Sequence, residues 1–260
     1  MNISTYTLFK KERKKLGKVA PYAPYGWQIL NNTLPIEWFA YSQFMQEHTS
    51  ELANSINELN HHIGSLMAWE AVMPHLKEKE LNRTIINHVS PIATLSLLMP
   101  YAIRSRFIYS VAHLSHQANM LKINNWVDDL PIDTEIYFKQ ADEYGREWSA
   151  YSKLKKSMEK IANKQYSTAT HDFRHSFNHR YSPRIELGLT GLVTRIVTSE
   201  GAVSYGFGET EPLKLKNIIP VLQEQHHHCI NSYEKYQILV NEQSEAINQH
   251  ITRSSSGHSR

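Results

Sequence analysis

The fold class predicted from the sequence is all-α: an antiparallel helical bundle with a small inserted β-hairpin near residues 192–207. Three observations carry this. Apolar residues recur at steps of three and four over long segments, the period of a helix with one buried face. Glycine and proline are scarce, 10 of each in 260 residues, too few for the turns of an all-β sandwich or for a disordered chain. And strand-type composition is convincing in a single place, Leu192 to Phe207.

Residues 1–34 read as an irregular N-terminal arm. The charged run Lys10 to Lys15 precedes Pro21-Tyr22-Ala23-Pro24-Tyr25-Gly26-Trp27, where two prolines and a glycine oppose a helix. The aromatics between the prolines are expected to clamp the arm onto the bundle, and the basic run reads as a solvated face. A long helix starts at Pro35, with Thr33 placed to cap it. Leu52, Ile56, Leu59, Ile63 and Leu66 form its inner face, and Pro74 ends it.

A second helix follows Ser90-Pro91, with Ile92, Leu95, Met99, Ile103, Phe107 and Val111 as its stripe and Pro100 as a kink. A third starts near Asp133, its apolar rhythm running from Tyr137 through Trp148 to Ile161. A short helix spans Thr168 to about Arg180 and stops before Pro183. The hairpin pairs Leu192–Thr198 with Ala202–Phe207 across Ser199-Glu200-Gly201. The last helix runs from about Leu215 to Ile247, with Pro220 in its first turns. Residues 35–250 therefore read as one helical domain with a hairpin insertion, and residues 251–260 as a disordered tail.

Hydrophobic content of 41% is enough for a substantial core. The one cysteine, Cys229, excludes an intramolecular disulfide. The best apolar stretch, Pro91 to Val111, is broken by Pro100, Arg104 and Arg106, short of the roughly 18–20 uninterrupted residues of a membrane span. The basic N-terminal residues lack the apolar core of a secretion signal. Together these predict a cytoplasmic protein with no membrane partner. A net charge of +3 permits nucleic acid as a partner without requiring it.

Chemistry-bearing residues concentrate in His171-Asp172-Phe173-Arg174-His175-Ser176-Phe177-Asn178-His179-Arg180. Arginine keeps its charge and presents a planar fork to phosphate oxygens. Histidine titrates near neutrality and moves protons. Arg174 and His179 together could cleave RNA without a metal. The histidine would activate the ribose 2′-hydroxyl or protonate the leaving oxygen, and the arginine would stabilise charge on the phosphate. Arg180 and Arg184 would extend the phosphate-binding surface, and Tyr181 would stack on a base. Asp172 would orient an arginine or cap the helix.

This segment resembles the signature of the HEPN superfamily, helical-bundle proteins common in prokaryotic toxin and defence systems. That signature is Arg, four to six residues, then His, often with Asn, His or Asp directly after the Arg; Arg174 to His179 fits it, with His175 as the polar residue. The resemblance implies an all-α bundle and a metal-independent endoribonuclease needing no cofactor. It also implies RNA as substrate and a homodimer whose two motifs face one cleft, with His179 as general acid/base, Arg174 as phosphate stabiliser and His175 as a positioning helper. A toxin setting leaves room for a neutralising protein partner. Spacing alone is weak. With 11 arginines and 15 histidines, about two such pairs are expected by chance. The sequence holds four: Arg83–His88, Arg106–His113, Arg174–His179 and Arg253–His258. Only the pair at 174 has Asn, His or Asp directly after the arginine; the others have Thr, Phe and Ser.

Two rival readings stand beside it. One is a non-catalytic helical module that binds RNA or a protein. The other is a metal-binding bundle: His171, His175 and His179 at i, i+4 and i+8 would share one helical face. His226-His227-His228-Cys229 and His61-His62 read as histidine-rich helix surface, the former with one buried thiol.

Overall fold

The computed structural model describes residues 3–26, 30, 34–199, 201–208 and 210–257. Among these the chain is mostly helical, with a small two-stranded antiparallel sheet. Thr33, Trp27, Glu200 and His258, each used in the sequence argument, lie outside the described residues.

The long helices follow the apolar period. Helix α2 (Phe39–Val72) buries Leu52, Ile56, Leu59, Ile63 and Leu66 and gives way to a 3-10 turn, Met73–His75, at Pro74. Helix α4 (Ser90–Ala118) buries Met99, Ile103, Phe107 and Val111; in its first turns Ala93 and Leu97 face inward, and Leu95 is exposed. Helix α9 (Leu215–Gly257) carries Pro220 in its first turns.

The remaining elements depart from the sequence reading in five places. The arm is not wholly irregular: Ile3–Lys15 form helix α1, which places the basic run on a helix. Lys, Glu and Arg are good helix formers, and Phe9 anchors the helix by stacking on Trp69 with centroids 4.3 Å apart. Between α2 and α4 lie helix α3 (Glu78–Thr84) and a π-helical turn, Ile85–Val89. The expected third helix is broken into a 3-10 turn, Asp133–Glu135, then α5 (Phe138–Gly145) and α6 (Tyr151–Met158). The break has a distant cause: the Glu242 carboxylate accepts the backbone N–H groups of Ser149 and Ala150, both at 2.9 Å, and so holds the entry to α6. The inner residues are those of the apolar rhythm from Ala141 on, Ala141, Tyr144, Trp148, Tyr151, Leu154, Met158 and Ile161, whereas Tyr137, the expected first member, lies before α5 and is exposed. The short helix is two, α7 (Lys164–Ala169) and α8 (Phe173–His179). Finally, α9 continues to Gly257, through most of the expected tail.

The hairpin forms where its β-branched and aromatic residues predict it. Strand β1 (Val193–Val197) pairs antiparallel with β2 (Val203–Phe207), Arg195 opposite Tyr205. Isolated bridges, Thr190 with Thr210 and Ile185 with Leu213, tie its base to the chain.

The chain divides into two compact units. The first comprises residues 1–20, 59–99 and 162–225. Its core includes Ile63, Leu66, Trp69, Val89, Leu97, Tyr166, Phe173 and Leu222. Within it the Tyr166 hydroxyl donates to the Leu97 carbonyl at 2.8 Å, and Gln225 Oε1 accepts the Ala162 N–H at 2.7 Å. The second comprises residues 21–58, 100–161 and 226–260. Its core joins Tyr41, Met45, Ile56, Phe107, Tyr233 and Tyr236 to a buried polar chain: Tyr41 donates to Gln243 Oε1 at 3.0 Å, and Gln243 Nε2 donates to Ser115 Oγ at 3.0 Å. Buried polar groups satisfied in this way specify one packing arrangement. Residues 23–25 dock in this unit by hydrogen bonds, Ala23 exchanging two with Asn57, and Tyr25 donating to Asn54.

Candidate functional site

Helix α8 belongs to the first unit, and its placement starts at a backbone reversal. His171 and Asp172 both take left-handed conformations, with φ of 52° and 50°. The Asp172 N–H donates to the Ser167 carbonyl at 2.7 Å and the Ser167 hydroxyl to Asp172 Oδ1 at 3.0 Å, which locks the turn between α7 and α8. Asp172 thus neither caps α8 with its side chain nor pairs with an arginine in a described ion pair. Phe173 is the buried anchor of the helix and stacks on Phe177 at 6.0 Å. Arg180, with φ −144° and ψ −147°, ends the helix.

Every other member of the motif except Ser176 is exposed. Arg174, His175, Asn178 and His179 present side chains to solvent, as do Arg180, Tyr181 and Arg184 beyond the helix. Tyr181 is 91% exposed, which suits a stacking role and rules out the packed stop that its neighbour Pro183, which is buried, provides. The imidazoles of His175 and His179 lie side by side, centroids 5.1 Å apart. Arg174 and His179 are five residues apart on a regular helix, so they leave it about 140° apart.

The three-histidine metal face is not formed. It requires an unbroken helix from 171 to 179, and α8 begins at Phe173, after the left-handed pair that carries His171 off the face. Among the described residues no group of three or more His, Cys, Asp or Glu is placed to hold a metal ion. His226 corrects another expectation. It is buried, not surface, and its imidazole is pushed down to about 4 by burial and by neighbouring His227. Cys229 is fully buried, which raises its thiol pKa and leaves it inert.

Two clusters escaped the sequence argument. In the second unit, a cavity of about 410 Å³ is lined by His48, Glu51, Ser105, Arg106, Tyr109, Asp133 and Ile136. His113 stands beside it, its Nε2 3.4 Å from Asp133 Oδ1 and its ring 4.3 Å from Tyr109. Burial and the nearby His113 push His48 down to about 4; burial lowers His113 as well, and raises Tyr109 to about 12. Arg106 is held by Glu51 at 3.1 Å and donates to Ser55 at 2.6 Å. In the first unit, a cleft of about 480 Å³ joins Lys77, Lys79, Arg83, Asn87 and His88. The signal for both was present: Arg106–His113 and Arg83–His88 were two of the four spacing matches, set aside because Phe107 and Thr84, not Asn, His or Asp, follow their arginines.

Comparison of the chain with protein-family models, with curated proteins and with solved structures yields no match.

Proposed function

We propose that the protein is a HEPN-like, metal-independent endoribonuclease that works as a homodimer, with Arg174 and His179 as its chemical pair. The observation that carries this is the exposure of Arg174, His175, Asn178 and His179 on one short helix anchored by Phe173: a long polymeric substrate can reach them. Arg180, Tyr181 and Arg184 continue the same segment, adding two cations for phosphate oxygens and a free aromatic face for a base.

The chemistry is transesterification. The ribose 2′-oxygen attacks phosphorus while a histidine takes the hydroxyl proton. The bond to the 5′-oxygen breaks, and that oxygen receives a proton from a second acid. The products are a 2′,3′-cyclic phosphate and a 5′-hydroxyl. Arg174 offsets the charge that builds on the phosphate oxygens. This needs one proton acceptor and one proton donor, and two facing copies of His179 supply both.

The splay of Arg174 and His179 favours the two-copy arrangement, because a single helix aims the pair at different points. The hairpin offers apolar contact area for it. The β1–β2 register puts Val193, Val197, Val203, Tyr205 and Phe207 on one face around Arg195, all exposed, Phe207 at 90%. Exposed, largely apolar faces of this kind mark interaction surfaces. Toxin or defence activity, and a neutralising protein partner, follow from the same reading.

The test uses an oligonucleotide of DNA with a single ribonucleotide, incubated in excess EDTA. Cleavage at the ribonucleotide, leaving a cyclic phosphate, supports the reading. Absence of cleavage, or equal cutting of an all-DNA strand, overturns it.

A further inference from the structure

The cleft between α3 and the π-helical turn answers a geometric problem that α8 leaves open. On an α-helix, residues five apart diverge by about 140°. In a π-helical turn the hydrogen bond spans five residues, so groups at that spacing return to one side. Arg83 lies in the last turn of α3, His88 in the turn Ile85–Val89, and both line the same cleft. Such insertions of π-turns into α-helices are frequent at functional sites.

The cleft is strongly biased in charge. Among the described residues of its lining, Glu80 is the sole acid beside Lys77, Lys79 and Arg83. The Glu80 carboxylate is itself engaged by the Thr5 hydroxyl. Among the described residues none of the three cations forms an ion pair. Asn87 adds an amide donor. The ring of His88 is half-buried and held flat against Trp69, 5.5 Å away at 14°, so its orientation is set before any ligand arrives. Burial keeps its pKa below the ordinary histidine value, which leaves a neutral imidazole able to donate one hydrogen bond.

We propose that this cleft is a second anion site, which binds the phosphates of a nucleotide-sized ester through Arg83, Lys77, Lys79, Asn87 and His88. Its volume, about 480 Å³, lies in the range of small-ligand pockets. A forked guanidinium, two ammonium groups, an amide and an imidazole together match the several oxygens of a phosphate or diphosphate better than they match a single carboxylate. The ligand is either a free nucleotide or the phosphorylated end of an RNA chain. The site stands whether or not Arg174 and His179 cut RNA.

The test is calorimetric titration of the full chain with ADP, with inorganic pyrophosphate, and with a 2′-deoxy oligonucleotide bearing or lacking a 5′-phosphate. ADP or pyrophosphate should bind to the wild type. Arg83→Ala should weaken it at least tenfold, and Lys79→Ala several-fold. Arg83→Lys should lose part of the affinity, because charge is kept and the fork is lost. Lys164→Ala, an exposed cation outside the cleft, should bind like wild type. Arg83 and Lys79 are exposed, so these variants keep the fold, which circular dichroism checks. Tighter binding of the 5′-phosphorylated strand assigns the site to RNA ends, and tighter binding of ADP assigns it to free nucleotide; either supports the cleft. No binding at millimolar concentration would overturn the proposal. So would equal affinity in the Lys79→Ala/Arg83→Ala double variant, or tighter binding of an oligo-glutamate peptide than of ADP.

Discussion

Acid should unfold this protein through two histidines that are buried neutral. His226 and His48, both in the second unit, are pushed down to about 4 from the ordinary value near 6.5. For His226 the cause is burial, then His227. The residue is 1% exposed, and its Nε2 has no hydrogen-bond partner among the described residues, so a charge there would be uncompensated. His48 sits against His113, with Asp133 pulling the other way. Because the folded pKa lies below the unfolded one, the unfolded chain binds more protons between pH 6.5 and 4. The stabilisation is fully present above about pH 6.5 and is lost as pH falls towards 4. One proton contributes about 1.4 kcal/mol per pH unit, which gives His226 roughly 3 kcal/mol across the window and the less buried His48 a smaller share. Against a typical stability of about 5–15 kcal/mol, the loss is large. Urea unfolding followed by circular dichroism at pH 7, 5.5 and 4.5 measures it. His226→Gln, which cannot titrate, should flatten the slope of stability against pH by roughly 1 kcal/mol per unit near pH 5, whatever its effect at pH 7. Identical slopes in variant and wild type would refute the reasoning.

Three further substitutions test the packing. Tyr166→Phe removes the hydroxyl that donates to the Leu97 carbonyl in a buried setting, and should cost about 1 kcal/mol by denaturant titration. Gly145→Ala would set a methyl 2.7 Å from the Tyr151 ring, whose hydroxyl is tied to Asp142 at 2.6 Å. A net loss of about 1–2 kcal/mol is expected after the helix-propensity gain, visible as a lowered Tm. Glu242→Ala removes the acceptor for the Ser149 and Ala150 N–H groups and should cost about 1–2 kcal/mol, with hydrogen exchange accelerated at the start of α6.

What was legible in the sequence was whatever depends on local period. The stripe Leu52 to Leu66 lies in the core of α2, and the β-branched runs form the hairpin. What was not legible depends on partners far along the chain or on conformations without a composition signal. No neighbour of Ala150 announces that Glu242 will hold the start of α6. The left-handed pair His171-Asp172 contains no glycine, so the break before α8, and with it the loss of the three-histidine face, was hidden. A period of 3.6 cannot reveal a π-turn, so nothing in the sequence marked Arg83 and His88 as neighbours in one cleft. The position of the Arg174–His179 motif on a short helix was read correctly; its exposure was not readable, because exposure is decided by what packs against Phe173.

The central claim concerns Arg174 and His179, and RNA cleavage in excess EDTA tests it most directly. Wild type should be run beside Arg174→Ala, His179→Ala and an equimolar co-refolded mixture of the two variants. Both residues are exposed, so the variants keep the fold. The account predicts cleavage by wild type and a loss of at least a hundredfold in each single variant. Activity should stay lost in the mixture, because a mixed dimer holds a single His179 and the reaction needs two. Cleavage by all four samples alike, or by none, would contradict it.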